Sequence, residues 1–402
     1  KNNHPILSEI EIVNIVVKDL MKKRSINVDS KLLINDANIL IENPSIDIIV
    51  EVMGGTNHAK DIILKSLKSG KSVVTANKAV MARYGEEIHK TAIDNGVYIL
   101  FEAAVCGGIP IIEPLKRSLK SNQLKKMIGI INGTTNFILS KMSEDQSSFE
   151  NALKEAQDLG LAEADPTMDV DGTDAAQKAS ILSALAFNTP HNFELVSYGG
   201  IESVSQEDIS YAADLGYSIK HIAYGSIEAN EVFVSAYPTL VSNDQLLSQV
   251  GMQMNALEVN CDGIGSTVYY GPGAGPKPTA SAVIADIVDL SNGGWPVSEN
   301  YASNTLLSKE SQQGFSRYFN LTIKNEAGAI AKVSSLFASK NISIEALIQN
   351  ESKASQADHT HVPVVIISGP LSDEKAFEMT KDLHSIDEIA QSIKQFRIHN
   401  AL

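Results

Sequence analysis

One amine and several acids at short spacing dominate the stretch Ala156–Lys178, AQDLGLAEADPTMDVDGTDAAQK. Glu163 stands in a Gly/Pro/Asp-rich loop, and Asp174 and Lys178 follow four residues apart as a helix-forming run begins. A four-residue step on a helix puts two side chains on one face. Asp174 and Lys178 are therefore expected to project together, close to the loop that carries Glu163. An amine held beside acids can pass a proton to or from a reacting oxygen while the acids anchor the substrate. A solvated i,i+4 ion pair is the plainer reading of the same spacing. What positions the pair is a helix expected over 175–187 (AAQKASILSALAF), entered through the capping types Asp171, Gly172 and Thr173.

Upstream, apolar runs of strand length alternate with helical segments. Strands are expected over 10–17 (IEIVNIVV), 46–53 (IDIIVEVM), 72–75 and 98–103, and helices over 59–69 and 84–95, closed by Gly70 and Gly96. This alternation implies parallel βαβ units. Ligands of such sheets collect at the carboxyl ends of the strands, where Gly54-Gly55-Thr56, Lys78 and Glu102 fall. No G-x-G-x-x-G turn lies ahead of Ile10, so the first βα unit of a dinucleotide-binding sheet, with its pyrophosphate turn, is expected to be absent from this chain. After the first run, Lys18 and Asp19 offer one charge of each sign, followed by Lys22, Lys23 and Arg24. A basic balance there favours the 2′-phosphate of NADP over NAD; a solvated cluster is the alternative.

The spacing Ala-x3-Gly-Leu-Ala-x2-Asp-Pro-x2-Asp-Val-x-Gly-x-Asp-x3-Lys, from Ala156 to Lys178, resembles the signature of homoserine dehydrogenases. The resemblance extends over nearly the whole chain. It implies NAD(P)-dependent, reversible interconversion of L-homoserine and L-aspartate 4-semialdehyde in threonine and methionine biosynthesis. Lys178 would carry the proton, with Asp174 and Lys78 the other catalytic groups. Glu163, Asp174, Asp169, Gly133 and Thr134 would bind the substrate; Lys78, Gly160, Gly275, Thr56 and Lys18 would bind the cofactor. Leu161 departs from the family, where an aromatic residue often follows the glycine.

Three further segments bear on function. Glu102–Ile112, EAAVCGGIPII, resembles the family's monovalent-cation loop, which implies Na+ held by Glu102 and the carbonyls of Val105, Gly107 and Ile109. A Gly-rich turn without an ion is the alternative. In MIGIINGTTNFIL the free N–H groups of a helix start at Asn132-Gly133-Thr134-Thr135 could hold a carboxylate, or the turn could be simply capped. GPGAGPKPT at 271–279 reads as a loop docked back against the nucleotide-binding part.

The tail reads as strand 318–323, helix 330–339, strands 342–348 and 362–368, helix 373–383 and strand 393–398. This βαββαβ order and the turn-helix NEAGAIAKVSSLFASKNISI resemble an ACT domain. The likeness implies an amino-acid effector, threonine by family expectation, touching Ala327, Gly328 and Asn341. Dimerisation without a ligand is the alternative, and His359 and His361 read as a solvated loop pair rather than a metal site.

The fold class is thus expected to be α/β: a Rossmann-type parallel-sheet domain, an α+β substrate and dimerisation domain, and the C-terminal βαββαβ ACT domain. The boundaries are a nucleotide-binding domain over 1–115, completed by 271–292; a catalytic domain over 116–270; a linker over 293–316; and the ACT domain over 317–402. With 402 residues, 43% hydrophobic and 20% charged, the composition is that of a globular protein. A formal net charge of -15 argues against nucleic acid or an anionic membrane as partner. Two cysteines provide no disulfide framework, and no apolar run reaches the roughly 18 residues of a membrane span, so a cytoplasmic setting is expected; the resemblance implies a homodimer or homotetramer. The rival reading is an amino-acid-binding regulatory protein with an inactive dehydrogenase domain.

Overall fold

The structure is a computed structural model that describes residues 5–294, 306–309, 311, 314–349, 360–389 and 393–399. The chain divides into two compact units: residues 1–121, 180–193 and 272–304 form one, and 122–179, 194–271 and 305–402 the other.

In the first unit, β1 (Ile15–Val16) pairs in parallel with β2 (Leu33–Ile34). β3 (Ile48–Glu51), β4 (Ser72–Thr75) and β5 (Ile99–Leu100) form a second parallel ladder in that order. The helix Asn57–Lys68 joins β3 to β4, burying Ala59, Ile62, Ile63 and Leu67 on one stripe. The helix Lys78–Asp94 joins β4 to β5 and starts six residues before the expected Tyr84. The reason is its cap: the Asn77 side chain accepts from the Val80 N–H at 3.2 Å and donates to the Gly55 carbonyl at 2.8 Å. The strand expected over 10–17 shrinks to two residues, because only Ile15 and Val16 meet a partner strand while Ile12 stays 59% exposed. The strand expected over 98–103 likewise ends at Leu100 and gives way to a 3-10 turn at Glu102–Ala104.

The second unit is one large mixed sheet. Its strands are β6 (Leu124–Ile130), β7 (Ser197–Tyr198), β8 (Tyr217–Glu228), β9 (Glu231–Ser242), β10 (Met254–Cys261), β11 (Gly265–Pro272), β12 (Leu306–Ser308), β13 (Phe315–Lys324), β14 (Ile344–Gln349), β15 (His361–Leu371) and β16 (Lys394–His399). They run in the order β11-β10-β6-β8-β9-β16-β13-β15-β14, with β7 and β12 also paired to β9. The β8–β9 hairpin turns at Ala229 and Asn230, both with positive φ as a tight hairpin requires.

A self-contained third domain over 317–402 is not what forms. The βαββαβ order is present, with helices Ala329–Ser339 and Asp373–His384, but β16 pairs in parallel with β9, Arg397 opposite Thr239 and His399 opposite Val241. The alternation of side chains along a strand explains the fusion. Tyr318, Val365 and Ile367 point into a core shared with Phe137, Leu139, Ile209 and Leu240, whereas Phe319, Val364 and Ile366 face the helices through Val333, Phe337 and Met379. With both faces apolar, the tail's sheet is a continuation of the catalytic one. The linker expected over 293–316 lies in part outside the described residues; within it, Leu306–Ser308 is a strand and Phe315 already begins β13.

The shared core is pinned by a buried carboxylate. Asp208 forms a capping box with Ser205 at the start of the helix Gln206–Asp214. It also accepts from Tyr318 Oη at 3.2 Å, Asn320 Nδ2 at 2.7 Å and Lys394 Nζ at 3.1 Å, so one acid ties this helix to β13 and β16. Asp208→Ala strands those donors and should lower unfolding stability by about 3 kcal/mol. Chemical denaturation checks this, and a change below about 1 kcal/mol would remove Asp208 from that role.

Candidate functional site

The helix Thr173–Phe187 carries Asp174 and Lys178 on one face, and the two meet: Lys178 Nζ lies 2.8 Å from Asp174 Oδ2 and donates to the Ile131 carbonyl at 2.9 Å. Both side chains are largely buried, so this is not the solvated pair that the spacing alone allows. An ammonium has three N–H donors, and two of them are committed to these partners. Asn132, a residue the sequence reasoning did not assign to the site, organises the acids. Its amide donates to Asp174 Oδ2 and to Asp169 Oδ1, each at 2.7 Å, while its carbonyl oxygen caps the helix Gly133–Glu144 through the Thr135 N–H. Burial, and next the Asp174 charge, push the Asp169 carboxyl above its ordinary range. Thr134 donates to the Leu161 carbonyl at 3.1 Å, which draws the signature loop onto this helix start. At Gly133 a Cβ would stand 2.8 Å from the Gln253 carbonyl, so glycine lets the turn lie against that backbone.

The segment 169–174 is held by close backbone packing. Gly172 has φ +88°, and a Cβ there would lie 2.8 Å from the Gly199 carbonyl; one on Gly200 would lie 2.0 Å from that of Val170. The Ile201 N–H donates to the Val170 carbonyl at 2.9 Å. Behind this contact sits His221 of β8, buried, with Nε2 3.0 Å from the Gly199 carbonyl. Burial drives its pKa down to about 4 against the opposing effects of the Gly199 bond and the nearby Asp174 and Asp171 charges. It is therefore a neutral imidazole at neutral pH, and a lone histidine in an apolar strand offered no signal by which to find it.

Glu163 is exposed, and its backbone carbonyl, not its carboxylate, accepts a bond, from Gln157 Nε2 at 3.2 Å. Gly160 ends the preceding helix with φ +70° and open space where a side chain would stand. The structure thus brings Lys178, Asp174, Asp169, Gly133 and Thr134 together around Asn132, and leaves the Glu163 carboxylate outside their hydrogen bonds among the described residues.

The remaining expected positions belong to the first unit. Gly54 and Gly55, at the carboxyl end of β3, have φ of +73° and +72°, and a Cβ on either would meet nothing within 4 Å, so that edge is open. Glu51 and Thr75 lock the ends of β3 and β4 with a 2.6 Å bond, placing Thr56 and Lys78 at the starts of the two following helices. Lys18 is exposed beyond β1, and Gly275, φ +114°, precedes the helix Pro276–Ser291. Cys106 is buried, and it and Gly107 both take left-handed φ. A Cβ on Gly107 would stand 2.4 Å from the Gly273 carbonyl, so the Gly-rich segment before Gly275 is docked against this loop. The Glu102 carboxylate accepts the N–H groups of Ile111, Ile112 and Glu113 at 2.6, 2.8 and 2.9 Å, and its own N–H donates to Asp286. Burial raises both acids, Asp286 to about 8.

Ala327 and Gly328 precede the helix Ala329–Ser339, and Asn341 follows it, all three exposed. Eleven helical residues span about 16 Å, so one chain does not bring these positions together. His359 lies outside the described residues. No group of three or more His, Cys, Asp or Glu that could hold a metal ion, and no helix long and apolar enough to cross a membrane, occurs among the described residues.

A parallel βαβ sheet with an open carboxyl edge, in one chain with a buried amine paired to a carboxylate, fits an NAD(P)-dependent oxidoreductase acting on CH–OH. A family model described as homoserine dehydrogenase matches residues 110–288, and one described as homoserine dehydrogenase, NAD binding domain, matches residues 2–102. The homoserine dehydrogenase of Bacillus subtilis is 38% identical over 97% of this chain and 90% of that one, and the chain belongs to the homoserine dehydrogenase family. A crystal structure of a homoserine dehydrogenase from Thiobacillus denitrificans superposes with a TM-score of 0.85 at 36% identity, covering 92% of this chain and 85% of that one. A hyperthermophilic archaeal homoserine dehydrogenase solved in complex with NADPH superposes with a TM-score of 0.56 at 31% identity over 65% of this chain and 76% of that one. The parallel-sheet unit is accordingly a Rossmann-type NAD-binding domain and the mixed sheet belongs to the catalytic part; the reading as a regulatory protein without activity is not favoured.

His221 offers a pH test of the site's packing. A base whose pKa falls from 6.5 to about 4 on folding stabilises the native state above pH 6.5 and loses that contribution as pH drops through about 4. The melting temperature of the wild type should therefore fall more steeply from pH 6.5 to 4 than that of His221→Gln; parallel curves would show that His221 is not buried neutral.

Proposed function

We propose that the chain catalyses the reversible oxidation of L-homoserine to L-aspartate 4-semialdehyde, with NADP as the preferred nicotinamide cofactor. The observation that carries the mechanism is Lys178, anchored by Asp174 and the Ile131 carbonyl. The open Gly54-Gly55 edge, Thr56 and Lys78 fit a dinucleotide, and the basic side chains from Lys18 to Arg24 favour a 2′-phosphate. Bound nicotinamide would supply or take up the hydride at the substrate C4. When the aldehyde is reduced, Lys178 donates a proton to its oxygen; in the reverse direction the amine takes the hydroxyl proton as C4 loses hydride. Asp174 fixes the amine's direction. Asp169, Asp174 and Glu163 provide carboxylates for the substrate ammonium, and the N–H groups at Gly133 and Thr134 face its carboxylate. Lys78 would lie beside the nicotinamide.

The loop 102–109 would hold Na+ through the carbonyls of Val105, Gly107 and Ile109, with Glu102 adding its remaining lone pair. Hard cations take oxygen ligands, and Cys106 and Gly107 in this loop both take left-handed φ. The βαββαβ tail is proposed to act as an ACT module that takes threonine. Since Ala327 and Gly328 stand a helix length from Asn341, the effector would bridge two copies in a homodimer.

NAD(P)H oxidation with L-aspartate 4-semialdehyde tests the activity. Lys178→Met should cut kcat by roughly 10²-fold or more if Lys178 carries the proton; near-normal turnover would remove it from that role.

A further inference from the structure

A cavity of about 650 Å³ opens in the second unit where β13, β16 and the helix Asp373–His384 meet β7 and β9. Its size is that of a small-molecule site. The charged groups lining it are Lys309, Arg317 and Arg397 against Glu202 and Asp373, three cations to two anions. Arg317 and Arg397 are each 4% exposed and converge on the single Asp373 carboxylate, at 2.5 Å and 2.7 Å. Arg397 is otherwise satisfied by Ser235 Oγ at 2.5 Å and the Tyr237 ring 4.2 Å away. Arg317 is not: its Nε has no partner, nor does Oε1 of Gln395, another lining residue. A buried guanidinium with one donor unpartnered, sharing a single carboxylate with a second guanidinium, is costly.

This cavity is remote from the turn expected to take an amino-acid effector, since Arg317 lies near the start of β13 and Ala327 beyond its far end. Its wall, however, is the segment that clamps the catalytic loop. A Cβ on Gly199 would lie 2.9 Å from the Tyr237 ring, and the carbonyl of Gly199 and the backbone of Gly200 press on Gly172, Val170 and Asp171, between Asp169 and Asp174. Arg397, Tyr237, Gly199–Gly200 and 169–174 form one unbroken series of contacts.

We propose that this cavity is a regulatory site for a small monocarboxylate, whose oxygens engage the guanidinium fork of Arg317 and whose occupancy alters turnover through Gly199–Gly200 and the 169–174 loop. A planar carboxylate matches the two-pronged donor set of arginine, and a single excess positive charge suits a monoanion better than a phosphate dianion. The kinetic half of the proposal rests on the dehydrogenase reading; the binding half does not.

The full chain is titrated with sodium acetate, sodium propionate, sodium phosphate or sodium chloride at equal ionic strength, following melting temperature and, separately, homoserine oxidation. Acetate and propionate should raise the melting temperature by a few degrees, saturably, with phosphate no more effective than chloride. Turnover should change at least twofold with the same midpoint. Arg317→Gln should weaken the response at least tenfold. So should Ser203→Glu, an exposed change at the cavity lining that leaves folding and turnover without added acetate or propionate as in the wild type. A response shared by chloride, or a wild-type titration in Ser203→Glu, would overturn the site; flat turnover at saturating propionate would overturn the regulation. Absence of turnover without added acetate or propionate would count against the dehydrogenase reading instead, and the thermal titration still decides binding.

Discussion

Two carboxylates and one amine share a site from which water is mostly excluded, and everything around them answers that constraint. Asp174 and Asp169 could not lie so close in a dry environment without donors between them. Asn132 provides both, one N–H to each acid, while its own oxygen starts the helix that follows. Lys178 neutralises one charge and is itself tethered to the Ile131 carbonyl. Such a pair has lost the freedom and hydration that make surface ion pairs weak. It is correspondingly fixed in place, and a proposed proton carrier has to be so held.

The same requirement governs the backbone behind the site. Residues 169–174 can approach 199–201 only because Gly172 and Gly200 carry no side chain there, and the neutral His221 closes the contact without adding a charge. The tail contributes to this support. By pairing β16 with β9 it extends the catalytic sheet, and it places Arg317, Arg397 and Asp373 against the strands that end at this clamp. A module that looked separable in sequence is mechanically continuous with the catalytic sheet.

Much of this was legible in the residues alone. The i,i+4 step of Asp174 and Lys178, the capped start at Asn132, the βαβ alternation and the βαββαβ tail are local patterns, set by helix and strand periods and by cap chemistry, and each local signal survives folding. Strand ends were read less well: 10–17 and 98–103 promised strands where only Ile15–Val16 and Ile99–Leu100 found partners. An apolar run says that a segment is buried or paired, not how much of it meets a neighbour.

What the tertiary structure alone decided are contacts between residues far apart in the chain. Asn132 joins Asp169 and Asp174 across some forty positions, Asp208 joins Tyr318, Asn320 and Lys394 across more than a hundred, and the carboxylate of Glu163, in the middle of the signature, is left outside the hydrogen-bonded cluster. The sequence by itself determined the family resemblance and the candidate groups, because residue types and their local spacing are enough to name an amine, its neighbouring acids and a helix face. The fold determined which of those groups are desolvated and which share a hydrogen, because burial and long-range pairing are properties of the packed chain and have no local signature.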